Sequence, residues 1–295
     1  MNYTIKNNSG GNHGHQLKDW MGSYTIGTLL GLDYYHTEYE YLNFFLPKGY
    51  FKNAVSDLQK DNCINIGGPI WGGIDDYDEF KNRFKDVKIN QDALYVFKNA
   101  LRVHPFQTID WFQKKYINQN IFEKVCKELK NAFYFDKERK QTNDILNVCV
   151  HVNLHENTGE TSVNPRFKFS VDYYHKIINQ LEKTSKKKLD LNIYAEKTNS
   201  DIIREEFADK KFKLHIGEDR EIYRDSKDYT YIHSIFKDFV DSDILVCSNS
   251  SFSVVATYFR ILDSNKITIY HPHLHLNNLG DYKNCIPTDI TGNFK

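Results

Sequence analysis

The second half of the chain alternates short apolar runs with stretches of helical length. The runs are rich in β-branched residues and have the length of buried parallel strands. They cover residues 144–151, 189–194, 212–216, 244–247 and 267–270. The patterns between them predict helices at residues 170–181, 198–207, 234–240 and 254–262. Regular alternation of strand and helix predicts an α/β fold built on a doubly wound parallel sheet.

The first half of the chain predicts a second α/β lobe. Short apolar runs predict strands at residues 3–5, 32–36 and 63–66. Helical patterns lie at residues 17–30, 92–101 and 109–131. A polar, charged run at residues 137–143 marks a domain boundary. We therefore predict an N-terminal lobe of residues 1–140 and a C-terminal lobe of residues 141–295.

Charge and composition exclude several classes of partner. The 39 basic and 39 acidic residues cancel, so no electrostatic attraction favours nucleic acid or an anionic membrane. The sequence has no signal-peptide pattern at its start and no run of about 18 apolar residues, the length of a membrane span. The five cysteines lack the spacing of a metal site. We expect a soluble, cytoplasmic chain with no membrane span.

Polar residues follow several of the predicted strands. Ligands of a doubly wound sheet bind outside the carboxyl ends of its strands. These ends carry His151, Glu196, His215 and the serine-rich run from Ser248 to Ser253. We expect these side chains to converge on one site.

The run at residues 243–260 is the strongest of these signals. It consists of a short apolar strand, a serine-rich turn and a helix. In this layout, free backbone N–H groups and hydroxyls can point at an anion such as phosphate. The same pattern also fits an ordinary serine N-cap. The sequence pattern alone leaves both interpretations open.

Two loops of the first half carry further candidate chemistry. The glycine-rich turn at residues 9–16 can hold a phosphate at a helix N-terminus, but its spacing matches neither the Walker A nor the dinucleotide motif. The loop at residues 67–80 contains Trp71, Asp75, Asp76 and Asp78. These residues fit a sugar platform with a general base. They also fit a solvated turn that caps the next helix.

Three histidines near the C-terminus, His271, His273 and His275, alternate as metal ligands on one strand face can do. Pro272 interrupts the run, and a carboxylate or cysteine partner is missing from the pattern. We therefore predict no metal site.

Four motifs resemble those of the fucosyltransferase superfamily of the α1,2 and α1,6 type. Residues 9–17, SGGNHGHQL, resemble the family's opening GG-x-GNQ-L turn. Residues 150–153, VHVN, resemble its strand-end H-x-R motif, and residues 193–196, IYAE, resemble its acidic strand end. Residues 248–253, SNSSFS, are similar to its NS-S/T-FS phosphate turn. The motifs occur in the family's order, so the resemblance covers most of the chain.

This resemblance implies a GT-B glycosyltransferase with two Rossmann-like lobes, a cleft between them and no metal or other cofactor. The C-terminal lobe would hold a sugar nucleotide, and the N-terminal lobe a glycan acceptor. The implied donor-binding residues are Gly11, Gly14, His15, Gln16, His151, Asn153, Arg166, Glu196, Ser250, Ser251, Phe252 and Ser253. The last four would hold the diphosphate, and Glu196 would contact the nucleoside.

Two positions depart from the family pattern. The family's diphosphate-binding arginine falls at Asn153, and an amide cannot replace a bidentate Arg–phosphate pair. His155, Arg166 or Arg220 could supply the charge from nearby loops. The GNQ of the glycine-rich turn is Gly14-His15-Gln16 here. The donor therefore stays open among GDP-fucose, which we favour, another sugar nucleotide such as UDP-xylose, and none.

The resemblance implies a hexosyl or pentosyl transfer that inverts the sugar in a single displacement. Such a reaction needs a general base on the acceptor oxygen. We predict Asp75 or Asp76 as that base, with His13 as the next candidate. The alternatives are a transferase of the same fold with another donor, and a non-catalytic nucleotide- or glycan-binding protein.

Overall fold

The computed structural model describes most of the second half of the chain and selected parts of the first. These are residues 2–5, 13–36, 43–47, 49–51, 63–67, 82, 85, 94–98, 120–138, 144–154, 169–217, 229–248, 250–272, 279 and 282–295. The chain divides into two compact units, Met1–Glu138 and Arg139–Lys295. The division falls inside the polar run at residues 137–143. The acceptor and donor roles of the two units stay predictions.

The first unit contains a parallel sheet with the strand order β2-β1-β4-β3. Its strands are β1 (Asn2–Ile5), β2 (Asp33–Tyr34), β3 (Cys63–Gly67) and β4 (Leu94–Lys98). Helix α1 (His13–Leu29) follows β1 and packs against α2 (Asn120–Phe133). A Cβ on Gly27 of α1 would lie 2.1 Å from the ring of Tyr3. The helix therefore approaches β1 closely only because this position is glycine.

The helix predicted at residues 92–101 is wrong, because Leu94–Lys98 forms strand β4. This strand lies between β1 and β3, and its residues Leu94, Tyr95, Val96 and Phe97 are all buried. A short run that is apolar on both faces has no periodicity to separate a strand from a helix. Its aromatic and β-branched residues suit a central strand.

Helix α1 begins at His13, earlier than the predicted start at residue 17. Gly14 and Gln16 are buried, so the buried face of the helix extends through its first turn although the turn is polar. Gly14, His15 and Gln16 therefore belong to a helix N-terminus rather than to the loop before it.

The second unit contains a six-stranded parallel sheet with the order β10-β9-β8-β5-β6-β7. Its strands are β5 (Leu146–Val152), β6 (Leu189–Glu196), β7 (Phe212–Gly217), β8 (Ile244–Val246), β9 (Ile267–Tyr270) and β10 (Cys285–Pro287). Numbered within this unit, the order is 3-2-1-4-5-6, which is that of the Rossmann fold. The predicted α/β class with two Rossmann-like lobes is confirmed. Strand β10 was not predicted.

The helices of the second unit are α3 (Val171–Thr184), α4 (Ser200–Glu206), α5 (Thr230–Asp241) and α6 (Ser251–Arg260). Right-handed crossovers place α3, which joins β5 to β6, and α5, which joins β7 to β8, on opposite faces of the sheet. Helix α3 buries Tyr173, Tyr174, Ile177, Ile178 and Leu181, and α5 buries Phe236, Phe239 and Val240. The central strands therefore have apolar layers on both sides, as their sequences predict. In the parts of the chain described above, no helix has the length and apolar character needed to cross a bilayer.

Candidate functional site

The strand order of the second unit reverses between β5 and β8. The chain proceeds from β5 to β6 and β7 on one side, and then returns to β8 on the other side of β5. In open α/β sheets, ligands bind at such a reversal, outside the carboxyl ends of the strands. His151 lies at the carboxyl end of β5, and Ser248 follows β8. Ser248 Oγ lies 2.8 Å from His151 Nδ1.

Three serines shape the segment that follows β8, which we call the serine turn (residues 248–253). The N–H of Ser250 donates to Ser248 Oγ at 3.0 Å. The N–H of Ser248 donates to Ser253 Oγ at 3.2 Å, and Ser253 Oγ in turn donates to the carbonyl of Ser250 at 3.3 Å. Ser248 and Ser253 are fully buried. Their hydroxyls therefore hold the turn together from inside.

Helix α6 begins inside the serine turn rather than at residue 254, where the sequence pattern predicted its start. Ser250 is the N-cap, and its Oγ accepts the N–H of Phe252 at 3.3 Å. Ser251, Phe252 and Ser253 therefore form the first turn of α6. The first N–H groups of a helix have no acceptor within the helix and lie at the positive end of its dipole. This geometry favours an anion at the serine turn.

Aromatic rings surround His151. Its ring centroid lies 5.3 Å from that of Phe239 on α5 and 6.2 Å from that of Phe252 on α6. The imidazole is half-buried. Apolar walls of this kind exclude water and strengthen electrostatic interactions with a bound ion.

Two buried thiols lie directly below the site. Burial raises the pKa of Cys149, two residues before His151, to about 12. Burial also raises the pKa of Cys247, next to Ser248, to about 11. Because a thiol attacks as its thiolate, both cysteines are inert at neutral pH and form an apolar floor.

Glu196 lies on the same sheet face as His151. His151 pairs in register with Tyr194, and Glu196 is two residues further along β6, at the end of the strand. Asn153 follows β5 and has only 6% of its surface exposed. Position 153 thus holds a buried, uncharged amide.

Beside the site, Tyr194, Asp238 and His215 form a group that the sequence pattern did not single out as a unit. Tyr194 donates its hydroxyl to Asp238 Oδ2 at 3.0 Å, and its ring stacks on His215 with centroids 4.4 Å apart. Burial, and then the nearby Cys149 and Asp238, raise the pKa of Tyr194 well above its usual value. The tyrosine therefore stays protonated and acts as a support for the sheet face.

The other predicted site residues fall into two groups. For His13, His15 and Ser251 the structure gives the backbone, which is helical in each case. Gly11, Asp75, Asp76 and Arg166 lie outside the described residues, as do His155, Arg220, His273 and His275. Their roles stay predictions.

Metal ligation finds no support in the described parts of the chain. Among those residues, no three histidine, cysteine or acidic side chains come together as a metal site requires. His271 is buried, and its ring centroid lies 5.4 Å from that of Phe169. A metal-free site stays a prediction.

Ser248 is the residue that the sequence prediction undervalued. It belongs to the serine run but was not among the predicted contacts. The sequence signal for Ser248 was its position directly after an apolar strand, because side chains at the carboxyl ends of parallel strands lie where ligands bind.

Comparisons with known proteins give structural similarities only. No family model matches the chain, and no curated protein matches it by sequence. The fucosyltransferase NodZ from Bradyrhizobium is similar with a TM-score of 0.47 and 10% identity, over 99% of this chain and 97% of that one. POFUT1 is similar with a TM-score of 0.43 and 11% identity, over 91% and 97%. The E. coli heptosyltransferase WaaC with ADP follows with a TM-score of 0.39 and 10% identity, over 92% and 86%. At these values, the fold assignment rests on the strand order.

Proposed function

We propose that the chain is a fucosyltransferase-like GT-B glycosyltransferase. It moves a sugar from a nucleotide donor, with GDP-fucose favoured, to a hydroxyl of a glycan, with inversion and without a metal. The observation that carries this proposal is the hydrogen bond between His151 and Ser248. It joins a titratable ring to the turn that precedes helix α6, at the strand-order reversal of a Rossmann sheet. Nucleotides with phosphate groups bind at this place in such sheets.

The serine turn suits the diphosphate that leaves during sugar transfer. Without a metal, the charge that develops on this group must be stabilised by N–H groups, hydroxyls and a cation. The N–H groups of Ser251 and Ser253 lie in the first turn of α6. Ser250 accepts one hydrogen bond through Oγ and keeps its own proton for a phosphate oxygen. The hydroxyl of Ser253 is engaged inside the turn, so we expect this residue to act through its main chain.

His151 provides a charge that Asn153 cannot. An imidazole can carry a positive charge, whereas the amide at the position of the family arginine is neutral. We expect His151 to lie against the diphosphate, with Arg166 as a second candidate. Glu196, on the same sheet face, can accept hydrogen bonds from the ribose hydroxyls.

The acceptor side of the reaction rests on the first unit. Gly14, His15 and Gln16 of α1, together with Gly11, would contact the donor, and Asp75, Asp76 or His13 would take the proton of the acceptor hydroxyl. We expect the double variant Asp75→Ala, Asp76→Ala to lose sugar transfer and keep donor binding. Unchanged turnover would remove both aspartates from the mechanism.

Thermal unfolding with nucleotides tests the donor. A ligand at 100 times its Kd stabilises the folded state by about 2.7 kcal/mol. We expect GDP to raise the Tm more than UDP or dTDP, and GDP-fucose to yield transfer to a glycan. A rise with UDP alone would replace the fucosyl donor by another, such as UDP-xylose.

A non-catalytic nucleotide- or glycan-binding protein is the second candidate, and the neutral Asn153 favours it. This function predicts nucleotide binding without turnover. Detection of transferred sugar, or of hydrolysis of the donor, would exclude it.

A further inference from the structure

Asn199 is a buried polar residue just beyond the carboxyl end of strand β6. The strand ends at Glu196, and Lys197–Asn199 form a single turn of 3₁₀ helix that leads into α4. Only 1% of the surface of Asn199 is exposed. Its side-chain Oδ1 and Nδ2 are both buried, and neither has a hydrogen-bond partner. Within the described ranges, no other side chain has two polar atoms in this state.

The local structure gives the amide of Asn199 no role. The residue is the N-cap of α4, where an asparagine side chain usually accepts an N–H group of the first helical turn. Its side chain makes no such hydrogen bond, and its backbone is helical, with φ −101° and ψ −2°, rather than extended. A buried amide without partners costs free energy, and an apolar side chain of the same size would avoid that cost. The unpaired amide therefore points to a ligand.

The chemistry of the amide restricts the kind of ligand. An asparagine side chain offers a donor at Nδ2 and an acceptor at Oδ1, next to each other. Phosphate oxygens at neutral pH mainly accept hydrogen bonds, so they satisfy Nδ2 and leave Oδ1 unpaired. The edge of a nucleobase presents the matching pair, N1–H beside O6 in guanine and N3–H beside O4 in uracil. An amide at the carboxyl end of a parallel strand lies where nucleotides bind.

We propose that Asn199 binds the base of the donor nucleotide through both polar atoms of its amide. This inference rests on the proposed function, which supplies the nucleotide. Glu196, three residues earlier, is the residue that we expect at the ribose, to which the base is attached.

The 3₁₀ turn has to move when the base binds, because both amide atoms are closed to solvent in this structure. A single turn of 3₁₀ helix suits such a movement, since its hydrogen-bond geometry is poorer than that of an α-helix. The N–H of Ser200 donates to the carbonyl of Lys197 at the end of this turn. Binding of the base then pairs an amide that the free protein leaves unpaired, which favours the bound state.

NMR of the wild-type protein tests the contact directly. The side-chain NH₂ group of Asn199 gives a pair of ¹H–¹⁵N signals, which are identified by their loss in the variant Asn199→Leu. We expect GDP or UDP to move these signals downfield, as new hydrogen bonds do. Inorganic pyrophosphate, which has no base, should leave them in place. Signals that stay in place when a nucleotide binds would overturn the proposal.

The variant Asn199→Leu separates ligand binding from a structural role, because leucine has nearly the shape of asparagine but forms no hydrogen bonds. We expect an unchanged or higher Tm, since no unpaired amide is buried. GDP binding should weaken about tenfold, the order of one hydrogen bond, and pyrophosphate binding should not change. A lower Tm with unchanged GDP affinity would show that the amide serves the fold. Asn265→Ala removes an exposed asparagine between α6 and β9 and should change neither property.

The variant Asn199→Asp tests recognition of the base edge. A carboxylate only accepts hydrogen bonds. Guanine offers N1–H and N2–H side by side, whereas N3–H of uracil lies between two carbonyl oxygens that a carboxylate repels. We therefore expect the ratio of the Kd of UDP to that of GDP to rise about tenfold over the wild type. An unchanged ratio in a folded variant would mean that residue 199 does not contact the base. Circular dichroism shows whether the variant is folded, and the wild-type NMR signals decide if it is not.

The outcomes separate this proposal from the proposed function. If the wild-type protein binds none of GDP, UDP and dTDP, the sugar-nucleotide function fails, and the base contact fails with it. If the protein binds a nucleotide while the NH₂ signals of Asn199 stay in place, and Asn199→Leu binds equally well, the proposed function stands and the role of Asn199 is wrong.

Discussion

In the six-stranded parallel sheet, we call the side formed by the amino ends of the strands the amino edge and the side formed by their carboxyl ends the carboxyl edge. Each of these two edges holds a side chain that can carry positive charge, but in different ways. At the amino edge, Arg260 is fully buried. It donates to the carbonyls of Phe239, Asp243 and Ile267 and to the hydroxyl of Ser242. At the carboxyl edge, His151 is half-buried and is held through one ring nitrogen by Ser248.

This contrast separates architecture from a candidate site. The acceptors of Arg260 are the end of α5 and the starts of β8 and β9, so the guanidinium joins three elements. Asp243 adds to the same network, because its carboxylate accepts the N–H of Asn147 at 2.8 Å. His151 joins the end of β5 to the serine turn through its hydrogen bond with Ser248. A buried charge that is bonded on several sides by its own fold is structural, whereas a half-buried titratable ring at the carboxyl ends of the strands lies where ligands bind.

A cavity of about 850 Å³ lies at the amino edge, where the charged side chains are again used within the fold. Its walls include Asp190, Lys213, Asp243 and Lys266. Lys213 pairs with Asp190 at 2.9 Å, and Lys266 donates to the carbonyl of Val240 at 2.6 Å. These charges are used within the fold, and the cavity lies away from the carboxyl ends where ligands bind. Volume alone therefore does not locate the site.

The largest expected effect belongs to the amino edge. Arg260→Leu should lower the free energy of unfolding by about 3–5 kcal/mol, because it leaves several buried acceptors without donors. Urea unfolding measures the loss. Arg204→Leu is the control, since Arg204 is exposed and its contact with Asp201 is long, at 3.6 Å, and we expect a change within about 0.5 kcal/mol. Equal effects of the two variants would contradict the structural role of Arg260.

The thiol floor of the site predicts a loss of stability in alkali. Burial raises the pKa of Cys149 to about 12 and that of Cys247 to about 11, from an ordinary value of 9.0. Above pH 9 the unfolded chain releases these protons while the folded chain keeps them, so stability that is present below pH 9 falls as pH rises toward 11. The loss should reach about 1.4 kcal/mol for each thiol by pH 10.

Urea unfolding at pH 8 and pH 10 measures this loss. Cys247→Ala removes one of the two titrating groups and should show a smaller difference between the two pH values. The same difference in the variant and the wild type would mean that Cys247 does not contribute.

The carboxyl edge should respond in binding rather than in stability. We expect His151→Phe to weaken GDP binding about tenfold, because phenylalanine lacks the polar, titratable imidazole that we propose to lie against the diphosphate. The free energy of unfolding should change by less than about 1 kcal/mol, since the imidazole is only half-buried. Calorimetric titration with GDP and urea unfolding give the two values. If His151→Phe loses stability but keeps its affinity for GDP, His151 has a structural role like that of Arg260, and the contrast between the two edges is wrong.

The smallest effect concerns the N-cap of α6. Ser250→Ala should cost about 1 kcal/mol of stability, because Phe252 loses the acceptor of its N–H. Ser250→Asp keeps a cap and favours the helix dipole, so it should retain stability while its charge repels the diphosphate. Thermal unfolding with and without GDP separates the two properties. Strong GDP binding by Ser250→Asp would place the diphosphate elsewhere.

The local content of the sequence predicted much of the fold. Apolar runs identified five of the strands of the second unit, and Ser170 was correctly placed at the start of α3. The predictions failed for short segments that have no periodicity. Residues 94–98 read as a helix and form β4, and the run at residues 285–287, which forms β10, is too short to show an alternation. Predicted helix starts were late at α1 and α6, whose first turns are largely polar, and at α5, which begins at Thr230 rather than at residue 234.

The candidate site was predictable in part. The serine run and the strand end at His151 were found because chemistry of this kind gathers at the carboxyl edge of a parallel sheet. The direct contact between Ser248 and His151 was not predicted, because the two residues are 97 positions apart in the sequence. No local pattern states that β8 returns to the free side of β5.

The sequence by itself therefore determined most of the elements, their apolar faces and the residue types available at the strand ends. These properties follow from periodicity and capping, which act over a few residues. Only the tertiary structure decided the strand order, the placement of Ser248 against Nδ1 of His151 and the enclosure of Arg260. Pairing of distant strands and burial of polar groups depend on the whole packed sheet, and it is this packing that brings Ser248 against His151.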